Sequence, residues 1–185
     1  MALNFREEFG RVEERVQLQA FVDQHPWISD VALVLSFEMR GAGGPSIMFE
    51  TNDLSGWVVR GVQEWEPEPY ANSMAYEVYR RMPNDTDFTP FREAGVQGLN
   101  FAAVDNAHVY HQVYDTPENL SESTLQHHGL QALGALRHFG NADLGAVNAS
   151  DVVYFSVTGL GLVIYGESWV LPISLAVILL FSLLV

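Results

Sequence analysis

The sequence of 185 residues contains no cysteine, and basic residues are scarce. Without cysteine there can be no disulfide and no thiolate-ligated metal, so any metal site would have to use His, Asp and Glu. Nine Lys and Arg stand against 23 Asp and Glu, which gives a net charge of −14. Because no basic patch follows the spacing of a phosphate backbone, we expect no nucleic-acid partner.

We also expect no secretory signal peptide, because charged residues interrupt every apolar run between Met1 and Val16. Apolar residues are nevertheless abundant, at 48% of the chain, and aromatic residues make up 12% of the chain. This composition is sufficient for a packed core and excludes a disordered protein.

The C-terminal stretch from Trp169 to Val185 carries no charge, and its last part is almost wholly aliphatic. A helix of this length reaches roughly 25 Å, which is near the lower limit for crossing a bilayer. Trp169 stands at the boundary, as interfacial aromatic residues do. Because no polar flank follows, we predict that residues 168–185 form a transmembrane helix that is cut off inside a membrane region. The alternative is a buried core helix.

A second uncharged stretch, Val152 to Tyr165, precedes the apolar C-terminus and is rich in β-forming residues. Its length is compatible with a strand, an interfacial segment or another span. We predict that residues 142–167 connect a soluble domain, residues 1–141, to the membrane region.

Apolar runs typical of strands alternate with helical spacing up to about Asn141. Strands are predicted over residues 31–37, which should be buried on both faces, and over residues 46–49 and 99–104. Helices are predicted over residues 54–65, 72–81 and 88–94. A longer helix is predicted after the N-cap Ser121, with an apolar face made of Leu125, Ala132, Leu133, Leu136 and Phe139. This alternation predicts an α/β fold with a mostly parallel mixed sheet.

Two candidate site residues follow from the strand pattern. In open α/β sheets, ligands bind at the carboxyl ends of the strands. Glu38 ends the first predicted strand, and His111 follows the strand over residues 99–104 after a short loop.

Four segments carry a resemblance to a known family. They are AFVDQHPWISDVALVLSFEMRGAGGPSIMFET (residues 20–51), PNDTDFTPFREAGVQGLNFA (83–102), YHQVYDTPENL (110–120) and LQHHGLQALGALRHF (125–139). Together they resemble the M28 zinc peptidases, in particular the membrane-anchored branch that includes vacuolar and endoplasmic reticulum proteases. The resemblance implies a three-layer α/β/α domain, incomplete here at its N-terminus. It also implies one or two zinc ions and peptide-bond hydrolysis of the aminopeptidase type.

The resemblance assigns roles to residues in the middle of the chain. Glu38 matches an acidic metal ligand at the end of a strand, and His111 matches a histidine ligand. Asp115 matches the motif that shapes the loop around that histidine. Asp87, with Asp85 as its rival, lies near an active-site acid, so Asp87 and Asp115 are expected to contact substrate or support the ligands.

The N-terminal part of the family's site is matched less well. Glu7 and Glu8 copy a Glu-Glu pair in which the first residue is the general base and the second a metal ligand, but the spacing is too long. Glu13 and Glu14 offer an alignment whose spacing is too short. The family's first histidine ligand and bridging aspartate have no counterpart, because residues 1–19 contain neither His nor Asp.

Three functions are compatible with these patterns. The first is a membrane-anchored zinc aminopeptidase, present as a fragment without its upstream ligands, with a peptide substrate and an extracytoplasmic or lumenal peptidase part. The second is a catalytically inactive relative that acts as a membrane-tethered binding module. The third is a non-peptidase zinc hydrolase or cyclase on the same fold. The sequence leaves the oligomeric state open.

Overall fold

The computed structural model of the chain describes residues 16–66 and 69–184. The helices of this part are α1 (residues 16–24), α2 (Gly56–Val62), α3 (Ser73–Tyr79), α4 (Thr89–Glu93), α5 (Glu122–Phe139) and α6 (Val170–Leu184). The strands are β1 (Leu33–Met39), β2 (Ile47–Thr51), β3 (Tyr70–Ala71), β4 (Gln97–Ala103), β5 (Val152–Val157) and β6 (Gly161–Gly166). Short 3-10 turns cover Pro26–Asp30, Ala107–Val109, Pro117–Asn119, Leu144–Ala146 and Glu167–Trp169.

The main sheet has four strands in the order β1-β4-β2-β3. Strands β1 and β4 are parallel, with Glu38 opposite Ala102. Strand β2 runs antiparallel to β4, and β3 runs parallel to β2. Since two of the three pairings are parallel, the prediction of a mostly parallel mixed sheet is confirmed.

Helices cover both faces of this sheet. On one face, α2 and α5 pack over Met48, Leu99 and Phe101, which belong to the main apolar core. On the other face, α3 contacts β2 and α4 contacts β4. Phe88, directly before α4, is fully buried beneath Gly98, where an added Cβ would lie 2.4 Å from the phenyl ring. The domain therefore has the predicted three layers.

Strand β1 lies at the edge of the sheet, and this position corrects one expectation. The run over residues 31–37 was predicted to be buried on both faces, yet every residue of β1 is only partly buried. Its neighbour β4 is buried throughout. The difference arises because β1 pairs with a strand only on its β4 side in the described part of the chain.

Helix α5 begins as predicted but presents a different face to the core. The Ser121 hydroxyl accepts a hydrogen bond from the backbone N–H of Thr124 at 3.3 Å, which confirms the N-cap. The buried residues are Thr124, Gln131, Ala135 and Phe139. Of the predicted apolar face, only Phe139 is buried, whereas the three leucines are 42% to 64% exposed. The prediction was wrong because the helix packs through small and polar side chains.

The uncharged stretch before the C-terminus forms an antiparallel hairpin of β5 and β6. Val152, Tyr154 and Leu162 join the main core, and the Ser156 hydroxyl accepts a hydrogen bond from the N–H of Ala71 at 2.8 Å. Of the three alternatives for this stretch, the strand is therefore the correct one.

The apolar C-terminal segment is helical. Within the described residues, Glu167–Leu184 is the one helical segment that is long and apolar enough to cross a membrane. No residue of α6 is buried against the rest of the domain. Its length and composition are those of a helix that could span a membrane, and it is exposed in the described part of the chain.

Candidate active site

Glu38 lies near the carboxyl end of β1, on the face of the sheet that α3 and α4 cover. Its neighbour Phe37 points to the opposite face, where its ring stacks on Phe101 at a centroid distance of 5.0 Å. Because side chains alternate along a strand, Glu38 must face the other way. There one of its carboxylate oxygens accepts a hydrogen bond from the side-chain amide of Asn100 on β4, at 3.1 Å.

A buried ion pair supports this arrangement from β2. The Glu50 side chain is fully buried, and one carboxylate oxygen accepts from the Arg92 guanidinium at 2.8 Å. The other oxygen accepts from the Asn100 amide at 2.9 Å and from the Thr86 hydroxyl at 3.0 Å. Asn100 therefore donates to Glu38 and Glu50 at once, and the ion pair fixes the donor that orients Glu38.

An irregularity in β2 brings Glu50 to this face. The register between β2 and β4 shifts between Met48 and Glu50. Met48 packs in the core on the α5 side, whereas Glu50 bonds to Asn100 on the Glu38 side. In a regular strand, residues two apart share a face, so the β-bulge is what turns Glu50 toward the candidate site.

The carboxylates of this cluster are electrostatically crowded. Burial raises the pKa of Glu38, and the negative charges of Asp87 and Glu50 raise it further. Hydrogen bonds from the Asn100 side chain and the Asp87 backbone lower it in part. Burial also raises the pKa of Glu50, against the opposing effects of Asn100, Arg92 and Thr86. The structure thus brings Asp87, a sequence-predicted site residue, next to Glu38, in surroundings that a bound cation would stabilise.

His111 lies in the loop after β4 with a left-handed backbone, at φ 58. Such a conformation is uncommon for a residue other than glycine and is typical of functional loops. The Asp115 carboxylate accepts a hydrogen bond from the His111 backbone N–H at 3.3 Å, so Asp115 stabilises this turn. The Tyr110 ring stacks on the His111 ring at 3.7 Å and lies 5.0 Å from the Arg40 guanidinium. The loop is therefore tied to the chain two residues after Glu38.

The described residues do not complete a zinc site. Residues 16–66 and 69–184 contain no group of three or more His, Asp or Glu placed to hold a metal ion. A protein zinc site uses three or four such ligands, and Glu38 and His111 would supply two. The predicted base Glu7, the predicted ligand Glu8 and their rivals Glu13 and Glu14 lie outside the described residues.

An apolar cavity of about 680 Å³ opens on the same face of the sheet as Glu38. Its floor includes Ala102, opposite Glu38 on β4, and its rim includes Tyr110, next to His111. The apolar walls come from Phe49 of β2, from Met74, Val78 and Tyr79 of α3, and from Met82 shortly after that helix. The cavity therefore reaches the neighbours of both sequence-predicted ligands.

Tyr79 is one of several polar residues in the cavity lining, together with Arg40, Asn72, Thr86 and Tyr110. Its hydroxyl is buried and has no hydrogen-bond partner among the described residues. Burial, together with the charges of Glu50 and Glu38, raises the pKa of Tyr79 to about 12. The phenol thus stays protonated.

Sequence reasoning missed the supporting residues, although some of them leave a signal. Glu50 is a charged residue inside an apolar strand, and Asn100 is a polar residue inside another. Buried polar groups need partners, so their placement predicts a network. Met74 and Val78 share one side of α3 at a spacing of four residues, and with Met82 after the helix they form part of the cavity wall.

Comparison with known proteins gives a consistent result. The model of the family described as Peptidase family M28 matches residues 11–136. The chain is 32% identical to human endoplasmic reticulum metallopeptidase 1, over 85% of this chain and 18% of that protein. It is 31% identical to the putative endoplasmic reticulum metallopeptidase 1 of Schizosaccharomyces pombe, over 80% of this chain and 19% of the relative.

A more distant relative is the vacuolar membrane protease of Eremothecium gossypii, with 27% identity over 77% of this chain and 14% of the relative. The chain thus spans less than a fifth of the length of these three relatives. No solved structure matches the chain.

Proposed function

The chain belongs to peptidase family M28, and from this premise we propose that it is part of a membrane-anchored zinc peptidase of the aminopeptidase type. The observation that carries the proposal is the carboxylate cluster of Glu38, Asp87 and Glu50, set at the carboxyl end of β1 beside the His111 loop. Helix α6 is the proposed membrane anchor, and the peptidase part is proposed to lie on the lumenal or extracytoplasmic side.

Each polar residue has a distinct task in this proposal. Glu38 and His111 would hold zinc, and Asn100 orients the Glu38 carboxylate. Asp87 supports Glu38 through its backbone N–H, and Asp115 holds the left-handed turn at His111. Zinc, when bound, supplies a Lewis acid that lowers the pKa of a coordinated water to about 7. Glu7 remains the proposed general base.

The remaining ligands are proposed to come from a longer protein of which this chain is a fragment. Three observations support this view. The relatives are more than four times as long, β1 is an apolar strand that pairs on one edge only among the described residues, and α5 exposes Leu125, Leu133 and Leu136. An exposed apolar strand edge and an exposed leucine stripe are surfaces that folded proteins normally cover.

The apolar cavity is proposed to receive the first side chain of the substrate. Its walls suit a large apolar side chain, such as leucine or phenylalanine, and the surrounding carboxylates suit the ammonium group of a free N-terminus. A substrate with a positively charged first side chain would lose the hydration of that charge without gaining a partner, because the charged residue of the lining is Arg40.

The test uses the longer protein and peptides that differ only at the first residue. We expect hydrolysis of leucyl and phenylalanyl peptides to exceed that of lysyl peptides by about 10-fold or more, since burying a large apolar side chain contributes roughly 1.5–3 kcal/mol and Arg40 in the lining repels a lysyl ammonium group. N-acetylation of the leucyl peptide should abolish cleavage. Val78→Arg, in the cavity wall, should remove the preference, whereas Leu160→Arg, exposed on the β5–β6 turn, should not. Equal cleavage of acetylated and free peptides would rule out the aminopeptidase type.

The second candidate function is a catalytically inactive, membrane-tethered binding module. It is favoured by one observation, the incomplete zinc ligand set among the described residues. The longer protein distinguishes the two candidates, since the module would bind peptides in the cavity without retaining zinc or cleaving them.

A further inference from the structure

The anchor helix leaves the domain without a flexible linker. Strand β6 ends at Gly166, the turn Glu167–Trp169 follows, and α6 begins at Val170. Gly166 pairs with Val152 of β5, whose side chain lies in the main core. The base of α6 is therefore held by the folded domain, and the point where it departs fixes which side of the domain faces a membrane.

The directions of the strands show where α6 departs from the domain relative to Glu38. Strands β1 and β4 run together toward the edge that carries Glu38, opposite Ala102. Strand β2 runs the other way, from Ile47 opposite Ala102 to Thr51 opposite Leu99, and β3 is parallel to β2. The bridge between Asn72, directly after β3, and Phe155 of β5 is antiparallel. Hence β5 runs toward the Glu38 edge, and β6 runs away from it.

Contacts before β5 support the same placement. Ser55, beyond the end of β2, pairs with Ala149, and its N–H donates to the Asp151 carboxylate at 2.9 Å. The Gln97 amide, at the start of β4, donates to the Asn148 side chain at 2.7 Å. The segment that leads into Val152 thus lies where β4 begins. Since Val152 pairs with Gly166, α6 departs from the edge opposite Glu38.

We propose that the Glu38 edge faces away from the bilayer, so that the site takes peptides from the aqueous phase and not membrane-embedded segments. This inference rests on the proposed function, namely that α6 is a membrane anchor and that Glu38 belongs to the site. Strands of this length separate the two edges by roughly 20 Å. The membrane-side edge presents Leu54, 50% exposed, and Trp169, 60% exposed, which are side chains suited to an interface.

The absence of cysteine allows single labels to test this orientation. Three variants of the whole chain, each carrying one fluorophore, are placed in phosphatidylcholine vesicles that contain nitroxide-labelled lipid. They are Asp53→Cys at the anchor-side edge, Leu160→Cys at the turn between β5 and β6, and Leu180→Cys within α6. We expect a headgroup nitroxide to quench the Asp53 label at least several-fold more than the Leu160 label. An acyl-chain nitroxide should quench the Leu180 label.

Each contrary outcome has a separate meaning. Equal or stronger headgroup quenching at Leu160 than at Asp53, with the Leu180 label still quenched, would overturn the orientation while leaving the anchor in place. If the acyl-chain nitroxide does not quench the Leu180 label, the anchor in the proposed function fails, and the orientation fails with it. Matching circular dichroism spectra of the three variants and the unlabelled chain verify that the labels leave the fold intact.

Discussion

Replacing Glu38 by alanine is expected to lower peptide hydrolysis by the longer protein more than about 100-fold and to lower its zinc content. The reason is that loss of an outer partner of a metal ligand alone costs roughly 10- to 100-fold in affinity or activity, and a ligand itself contributes more. His111→Ala should have the same two effects. Hydrolysis is measured as the rate of release of an aminoacyl chromophore, and zinc content is measured by metal analysis of the purified protein.

The stability of the Glu38→Ala variant separates a site residue from a structural one. Because burial and neighbouring carboxylates raise the pKa of Glu38, its charged form is unfavourable in the folded protein. Because the folded pKa is raised, stability falls as the pH rises from the ordinary value of about 4.3 through the raised value, and Glu38 costs stability at higher pH. The free energy of unfolding of the metal-free variant at pH 8 should therefore equal or exceed that of the metal-free parent. Glu64→Ala, at an exposed glutamate, is the control for activity. Unchanged hydrolysis and zinc content in both Glu38→Ala and His111→Ala would remove these residues from the site.

Replacing Arg92 by leucine is expected to lower the free energy of unfolding by about 3 kcal/mol at pH 7, because it leaves the fully buried Glu50 carboxylate without its cation. The pH dependence has a defined sign. Without Arg92, the folded pKa of Glu50 rises still further above its ordinary value of about 4.3. The stability of the variant should therefore fall as the pH rises from about 4.3 through that raised value, and the loss should shrink in acid.

Two further variants make the Arg92 result specific. In Arg92→Leu combined with Glu50→Gln, no buried charge remains unpaired, so much of the lost stability should return. Arg80→Leu breaks an exposed ion pair with Glu77 and should cost less than about 1 kcal/mol. The free energies of unfolding of these variants are measured by urea unfolding followed by circular dichroism. If Arg92→Leu were no more destabilising than Arg80→Leu, the Glu50 pair would not support the site.

The layered fold was accessible to sequence reasoning because it depends on local patterns. Apolar runs alternating with helical spacing predicted the α/β fold with its mostly parallel sheet, and the hydroxyl of Ser121 predicted the start of α5. The burial of β1 was not predictable in the same way, since it depends on which strands lie beside it. The inward face of α5 was misassigned because its buried positions include Gln131, which donates to the Glu66 carboxylate across a long sequence separation.

The same distinction between local patterns and long-range contacts applies to the candidate site. Glu38 and His111 could be proposed from the sequence because the ends of parallel strands share an edge and because their surroundings resemble the M28 motifs, and their roles stay predictions. The hydrogen-bond network around Glu38 could not be predicted from the sequence. Asn100 contacts Glu50 because of a β-bulge, and the two partners lie far apart in the sequence. The cavity required α3 to be placed against β2, which no local pattern specifies.

The most direct test removes and restores the metal in the longer protein, purified in detergent. We predict that the protein as purified contains one or two zinc ions and releases the chromophore from a leucyl substrate. Chelation should abolish this release, and added zinc should restore it. Hydrolysis that persists in chelator without bound zinc would contradict the zinc peptidase. If the full-length protein neither retains zinc nor cleaves the substrate, it is instead the inactive binding module.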